Sequence, residues 1–352
     1  MKKVRVLIVE DSAFMRRILS DIIQQHNDLE LVGTARDGLD GLEKIKKIKP
    51  DVVTMDIDMP RLDGLETLSR VMKESPLPVI MISTHTKVGS ESTLKALDAG
   101  AVDFIAKPSI GAPEESLEEL KNSLPQKIIA AASAKVALMP QEKPIPFKAV
   151  EKKEVFKGRL ETAKIIVAVG ASTGGPKALE AVFSALPANL PAAVLLSQHM
   201  PPGFTLSFSQ RLDLLSSLGV KEAVEGDALL TGQALVAPGG FHMVVKNGLV
   251  HLDSGPKVNY VKPSIDVMLE SLVECSQKIL VVIMTGMGKD GAAGAAFLKK
   301  NKKDTILLAQ DPKTALIPSM PDALIKSAPC DFQAPLTRLA SEIDRCVKIF
   351  TG

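Results

Sequence analysis

Short β-branched apolar runs alternate with amphipathic stretches five times in the first 133 residues, and this alternation leaves the chain few folds to choose from. The runs are VRVLIV, LELVGTA, DVVTMD, PVIMIS and AVDFIA. Between them apolar residues recur at helical spacing, as in Phe14, Met15, Ile18, Leu19, Ile22 and Ile23. Strand and helix in regular alternation build a doubly wound parallel sheet covered on both faces. A last helix is expected over about residues 114–133, interrupted or kinked near Pro125. Residues 134–162 hold three prolines and many charges without sustained periodicity and read as an extended linker. The alternation resumes at Lys164 with KIIVAVGAS, a helix after Pro176, AAVLLSQHM, a helix after Gly203 and a turn-rich middle reaching about His251. A helix from Ser264, the strand KILVVIMTG, a Gly/Ala-rich helix and TILLAQ complete it. The expected organisation is an α/β unit over 1–133, a linker over 134–162, and a second doubly wound α/β unit with a mainly parallel sheet over 163–352.

The bulk numbers agree and remove other classes. A chain of 352 residues suits two domains, each able to bury its own core. It is 45% hydrophobic and 24% charged, and no apolar run approaches the roughly 20 residues of a membrane span. The opening MKKVRVLIVED meets an acidic pair where a signal peptide would stay apolar, so the expected location is cytoplasmic, without membrane insertion. Cys275, Cys330 and Cys346 show no paired spacing, which fits a reducing compartment. Residues 1–163 carry 25 Lys+Arg against 25 Asp+Glu, and residues 164–352 carry 18 against 16. Neither half has the basic excess of a nucleic-acid binder, and with one Tyr and no Trp base-stacking platforms are scarce.

Polar residues stand where the strands of the first unit stop: Glu10 and Asp11 after the first, Asp56 after the third, Ser83 after the fourth and Lys107 after the fifth. Ligands of open parallel sheets bind outside the carboxyl ends of the strands, so these groups should share one pocket. Three clustered carboxylates repel one another unless a hard cation joins them, and Mg²⁺ held by Glu10, Asp11 and Asp56 suits such a ring. Asp56 would then attack a phosphoryl donor in line, with Lys107 and Ser83 binding the phosphoryl oxygens. The plain alternative is a structural Asp56–Lys107 ion pair. With VEDS, MDIDMPRLDG, Ser83-Thr84 and Lys107-Pro108 in place, residues 1–133 resemble a two-component response-regulator receiver. The resemblance implies a (βα)5 flavodoxin-like fold, phosphorylation of Asp56 by a histidine kinase, and relay of the switch through Ser83 and Phe104. Glu10-Asp11 stands where many receivers have two aspartates.

In the second unit, Gly170-Ala171-Ser172-Thr173-Gly174 fits G-x-S-x-G, a tight strand-to-helix turn that exposes a serine hydroxyl beside free helix N–H groups. Such turns also hold Ser and Gly merely for capping. It is not a phosphate-binding loop, because Lys177 follows Pro176 and the G-K-[ST] ending is missing. A serine nucleophile needs a base. His199 ends the next strand, at the same sheet edge; His242 in APGGFHM is its rival, while His26, His85 and His251 have weaker context. Asp290, in the loop TGMGKDG after KILVVIMTG, is placed to orient the imidazole, or equally to cap a helix. The order Ser, His, Asp differs from the Ser, acid, His of α/β-hydrolases.

That order, with AVGASTGGPKAL, SQHMPPGF, VAPGGFHM and TGMGKDGA, resembles the chemotaxis receptor methylesterases, and the likeness covers essentially the whole chain. It implies a serine hydrolase acting on γ-glutamyl methyl esters, and in many members on glutamines, of chemotaxis receptors. It implies a histidine kinase as phosphoryl donor, and no cofactor for ester hydrolysis. By it, Ser172, His199 and Asp290 form the triad, with Thr173 and the Met287 N–H near the oxyanion. A transcriptional regulator is disfavoured by the near-neutral, strand-rich second half; a non-catalytic receptor adaptor is the other rival.

Overall fold

A computed structural model describes residues 2–84, 86–108, 114–134 and 161–351. The chain divides into two compact units, Met1–Pro144 and Ile145–Gly352. All but the ends of the expected 134–162 linker, and His85, lie outside the described residues.

The first unit alternates β1 (Val4–Val9), α1 (Ala13–Gln25), β2 (Leu29–Ala35), α2 (Gly38–Ile48), β3 (Val52–Asp56), α3 (Gly64–Glu74), β4 (Val79–Ser83), α4 (Lys87–Asp98), β5 (Asp103–Ala106) and α5 (Glu114–Ala132). All five strands are parallel in the order β2-β1-β3-β4-β5. Parallel strands buried on both faces read as continuous apolar runs, which is why β3 and β4 were plain in the sequence, whereas edge strand β2 is only partly buried. The helix starts are equally local. Ser12, Asp37 and Asp63 each accept a backbone N–H of the turn they open, which satisfies a donor the helix cannot. Of the interruption or kink expected near Pro125, the interruption does not occur: α5 continues through the proline. Proline forfeits one hydrogen bond there, but Leu120, Leu124, Ile128 and Ala131 keep one buried face across the break, and that packing outweighs the loss.

The second unit holds β6 (Ile165–Ala171), α6 (Gly175–Ala185), β7 (Ala193–Gln198), α7 (Phe204–Leu215), β8 (Gly219–Glu222), β9 (Gln233–Val236), β10 (His242–Lys246), β11 (Leu249–Asp253), α8 (Ile265–Ser271), β12 (Lys278–Ile283), α9 (Ala292–Asn301), β13 (Thr305–Gln310), α10 (Ser319–Ser327), β14 (Phe332–Ala334) and α11 (Leu336–Thr351). Its seven-stranded sheet runs β14-β13-β12-β6-β7-β9-β8 with every pair parallel, and β10–β11 forms a separate antiparallel hairpin. TILLAQ does not end the unit as expected. The chain adds α10, the three-residue β14, too short to leave a pattern, and α11, which buries Leu339, Ile343, Cys346 and Val347. At the other end, Thr231 N–H donates to the Glu161 carbonyl at 3.0 Å and Ala163 N–H to Leu229 at 2.9 Å, so the segment before β6 is already tied to the sheet.

Strand order turns outward from β6: β7 lies on one side and β12 on the other. That reversal opens the crevice where α/β sheets hold their ligands. Beneath it, Ile166, Leu195, Val281, Ile283, Ile265, Met268, Leu307 and Met320 form one buried cluster. Leu195→Ala should therefore cost about 2–5 kcal/mol in urea unfolding. Leu206→Ala, at an exposed position of α7, should cost no more than about 0.5 kcal/mol.

Candidate active site

The sharp turn after β6 carries Ser172 to the sheet edge. Its strain lies two residues later, at Gly174 with φ +75°, and Ser172 keeps ordinary φ. The G-x-S-x-G match is therefore one of sequence more than of elbow conformation. Gly286, after β12, passes so close that a Cβ there would lie 2.7 Å from that of Ser172. Ser172 donates its own N–H to the Thr285 carbonyl at 3.0 Å, which removes it as an oxyanion donor. The Met287 N–H, one residue beyond Gly286, has no hydrogen-bond partner among the described residues, whereas the Thr173 carbonyl accepts from Thr285 Oγ1 at 3.0 Å.

Three side chains from three strand ends meet here. His199 Nδ1 lies 3.1 Å from Ser172 Oγ, and His199 Nε2 lies 2.8 Å from Asp290 Oδ2. Burial opposes charge on Asp290, but His199 and the N–H groups of Ile265 and Asp266 outweigh it and hold the carboxyl below its usual range. An ionised carboxylate only accepts, so Nε2 carries the hydrogen and Nδ1 offers its lone pair to the Ser172 hydroxyl. The ring is thus presented the opposite way round from the serine-protease arrangement, where Nε2 faces the serine. Such a relay can take a proton from the hydroxyl and stabilise the imidazolium that results.

His242, the rival, is only 2% exposed. Its Nδ1 accepts the Ser264 N–H at 3.1 Å and its Nε2 donates to the Pro256 carbonyl at 2.9 Å. Both nitrogens are occupied in bracing a loop.

Three polar residues that the sequence did not single out complete the site. Gln198 Nε2 donates to the carbonyls of both Ser172 and His199 at 3.1 Å. Asp290 lies just before α9 yet accepts at the start of α8, from the Ile265 N–H (2.6 Å), the Asp266 N–H (3.1 Å) and Ser264 Oγ (2.9 Å). Asp266 does the converse: its Oδ1 accepts from Gly291 and Gly294 N–H at 2.9 and 2.7 Å, at the start of α9. Asn259 Nδ2 lies 3.2 Å from Asp266 and 3.5 Å from Asp290. Burial and the neighbouring Asp290 push the Asp266 carboxyl up to about 6. In the sequence Asp266 falls only inside the helix expected from Ser264, with no role of its own.

In the first unit the carboxylate oxygens of Glu10, Asp11 and Asp56 lie within 4.8 Å of one another. Lys107 Nζ stands 2.7 Å from Asp56 and 3.0 Å from Glu10. Burial and Asp56 push Glu10 up to about 7, and burial also raises Asp56. An all-oxygen, charge-crowded donor set of this kind fits a hard divalent cation. Ser83 Oγ donates to the Gly89 carbonyl at 3.1 Å, and Phe104 is buried with Lys127 Nζ 5.5 Å from its ring centre.

Residues 167–343 match the CheB methylesterase family and residues 6–121 the response regulator receiver domain. Over 98% of both chains, 45% of residues are identical to the protein-glutamate methylesterase/protein-glutamine glutaminase of Symbiobacterium thermophilum. The chain belongs to the CheB methylesterase family. The enzyme of the same name from Pyrococcus abyssi is 44% identical across 100% of this chain and 95% of its own. The solved catalytic domain of Thermotoga maritima CheB methylesterase is 38% identical, spanning 53% of this chain and 99% of its own at a TM-score of 0.49. Among the described residues no helix is long and apolar enough to cross a membrane.

The Asp266 shift makes this CheB-family fold pH-sensitive. Between the ordinary 3.8 and about 6 the folded state holds a proton that the unfolded state has released, so Asp266 contributes stability that is lost as pH rises through that window. The stability of the wild type relative to Asp266→Asn should be greatest below about pH 4, shrink up to about pH 6 and stay constant above it. Urea midpoints of both proteins across that range test this; a pH-independent difference would contradict it.

Proposed function

We propose that the chain is a phosphorylation-controlled serine hydrolase that removes methyl esters from glutamyl side chains of chemotaxis receptors and deamidates glutamines there. The observation that carries the reading is the unbroken line Ser172–His199–Asp290, assembled from three strand ends at one sheet edge. Ser172 Oγ attacks the ester carbonyl carbon while His199 Nδ1 takes its proton, and Asp290 stabilises the imidazolium from the other side. The carbonyl oxygen becomes the oxyanion, for which the Met287 N–H is the best-supported donor, with Thr173 beside it. Collapse expels methanol, or ammonia from a glutamine, protonated by His199. Water activated by His199 then opens the glutamyl-Ser172 ester and frees the carboxylate.

In the receiver, Asp56 accepts the phosphoryl group from a histidine kinase. Glu10, Asp11 and Asp56 would hold Mg²⁺, which when bound supplies charge neutralisation beside the acceptor. Lys107 already spans Glu10 and Asp56 and can follow the new charge onto the phosphoryl oxygens. Ser83 must leave the Gly89 carbonyl to do the same, with Phe104 as the next link. This reading makes the protein cytoplasmic.

Methanol release from methylated receptor membranes tests the chemistry. Ser172→Ala and His199→Ala should lower turnover by on the order of 10⁴, because triad members act as a unit. His242→Ala should lose stability yet keep its turnover per fluorophosphonate-labelled Ser172; the reverse pattern would make His242 the base.

The control is tested separately. Asp56→Asn should form no acyl phosphate with a phosphoryl donor and Mg²⁺, and its hydrolysis should not respond to the donor. If the unphosphorylated receiver restrains the enzyme, a fragment starting before Glu161 should outpace the unphosphorylated full chain. A tenfold difference requires a bias of only about 1.4 kcal/mol. A folded fragment that is no faster would show that the receiver activates directly instead.

A further inference from the structure

The tight turn at Asn259-Tyr260 is built against its own backbone preference. Val258 and Val261 pair antiparallel through two hydrogen bonds, of 3.2 and 3.0 Å. The two residues between them have φ of +53° and +65°. A two-residue turn with both φ positive favours Asn followed by Gly. Asn is present, but the glycine position holds Tyr260, for which a left-handed backbone is costly. The fold does not use the ring that causes this cost, since Tyr260 is 83% exposed. It is also the one tyrosine of the chain.

The turn stands on a braced base. Lys262 Nζ donates to the Gly255 carbonyl at 2.9 Å, His242 holds Pro256 and Ser264 on either side, and Gly240 N–H reaches the Lys262 carbonyl. Asn259, the other residue of the turn, reaches Asp290. The turn thus places Tyr260 at the rim of the triad, with exposed Phe241 on the neighbouring Gly240 turn and exposed Lys289 beside Asp290. Backbone strain that the structure maintains without internal return points to a functional contact.

We propose that Tyr260 is a specificity-determining contact for the polypeptide that carries the scissile glutamyl ester, resting on the methylesterase reading above. An exposed aromatic gives area at low entropic cost against an apolar flank of the polypeptide substrate. Lys289 complements the acidic side chains expected around a glutamyl site. The contact lies outside the reacting atoms, so it governs capture of protein substrate and leaves the reactivity of Ser172 alone.

The test compares full-length wild type, Tyr260→Gly and Tyr260→Phe, each treated with acetyl phosphate and Mg²⁺. Tyr260→Gly should melt a few degrees higher, because the strain is relieved. It should nevertheless show a KM for methylated receptor membranes raised about tenfold, the usual scale of an aromatic contact truncated at an interface. Fluorophosphonate labelling of Ser172, which needs no polypeptide contact, should run at the wild-type rate. Tyr260→Phe should keep the wild-type KM. An unchanged KM in Tyr260→Gly overturns the proposal. Slower labelling would show that the turn acts on the triad through Asn259 and overturns it too. Faster methanol release and labelling by unphosphorylated Tyr260→Gly would mean that the ring seats against its own chain. A wild type that labels at Ser172 but releases no methanol overturns the methylesterase reading, and this proposal with it.

Discussion

Two neighbouring buried carboxylates, Asp266 and Asp290, hold together the sheet edge where Ser172 and His199 meet. Buried acids of like charge are costly neighbours. They coexist because each is solvated by the N-terminal N–H groups of the helix that begins beside the other. Those groups cannot be satisfied within their own helices, and their dipoles favour negative charge. The exchange locks α8 to α9, sets the loop carrying Met287 and Asp290, and fixes the carboxylate against which His199 is oriented. Remove that exchange and neither the acid nor the loop has a defined place.

The receiver solves a similar problem differently. Its three carboxylates face a lysine and an open edge instead of helix termini. Burial, with the neighbouring carboxylates, leaves Glu10 and Asp56 with raised proton affinity. Asp290 is held ionised by His199 and helix N–H groups, whereas burial leaves Asp56 favouring its proton despite Lys107. One sheet architecture thus yields a permanently poised site and a switchable one.

Sequence reading reached the parts of this molecule that are set by local rules. Strands buried on both faces appear as unbroken apolar runs, and charged residues after them appear as edge groups, so Glu10, Asp56, Lys107, Ser172, His199 and Asp290 were all visible. What escaped depends on contacts distant in sequence. Asp266 sits 24 residues before Asp290, and nothing near it says that it serves another helix. Gln198 reads as the polar end of a strand. His199 ranked above His242 from its strand-end position alone, but only the contacts show that both nitrogens of His242 are already engaged. That α5 is not interrupted at Pro125 follows from the buried face that carries it past the proline, which local propensity does not reveal.

The placement of β6 has a consequence for how the protein comes into being. Ile165 opens the central strand of the second sheet, yet its partner on one side begins at Lys278, 278 − 165 = 113 residues later. At a synthesis rate of roughly 5–20 residues per second, that edge stays without its neighbour for about 6–23 s on the ribosome. Meanwhile the strand bearing Ser172 has β7 on one side only, and an unpaired apolar strand is a template for wrong partners. β6 is therefore among the first strands of the second unit to be made, yet after β7 it gains its second neighbour only once β8, β9, β10 and β11 have emerged. The finished receiver, emerging ahead of it, is a folded neighbour during that interval.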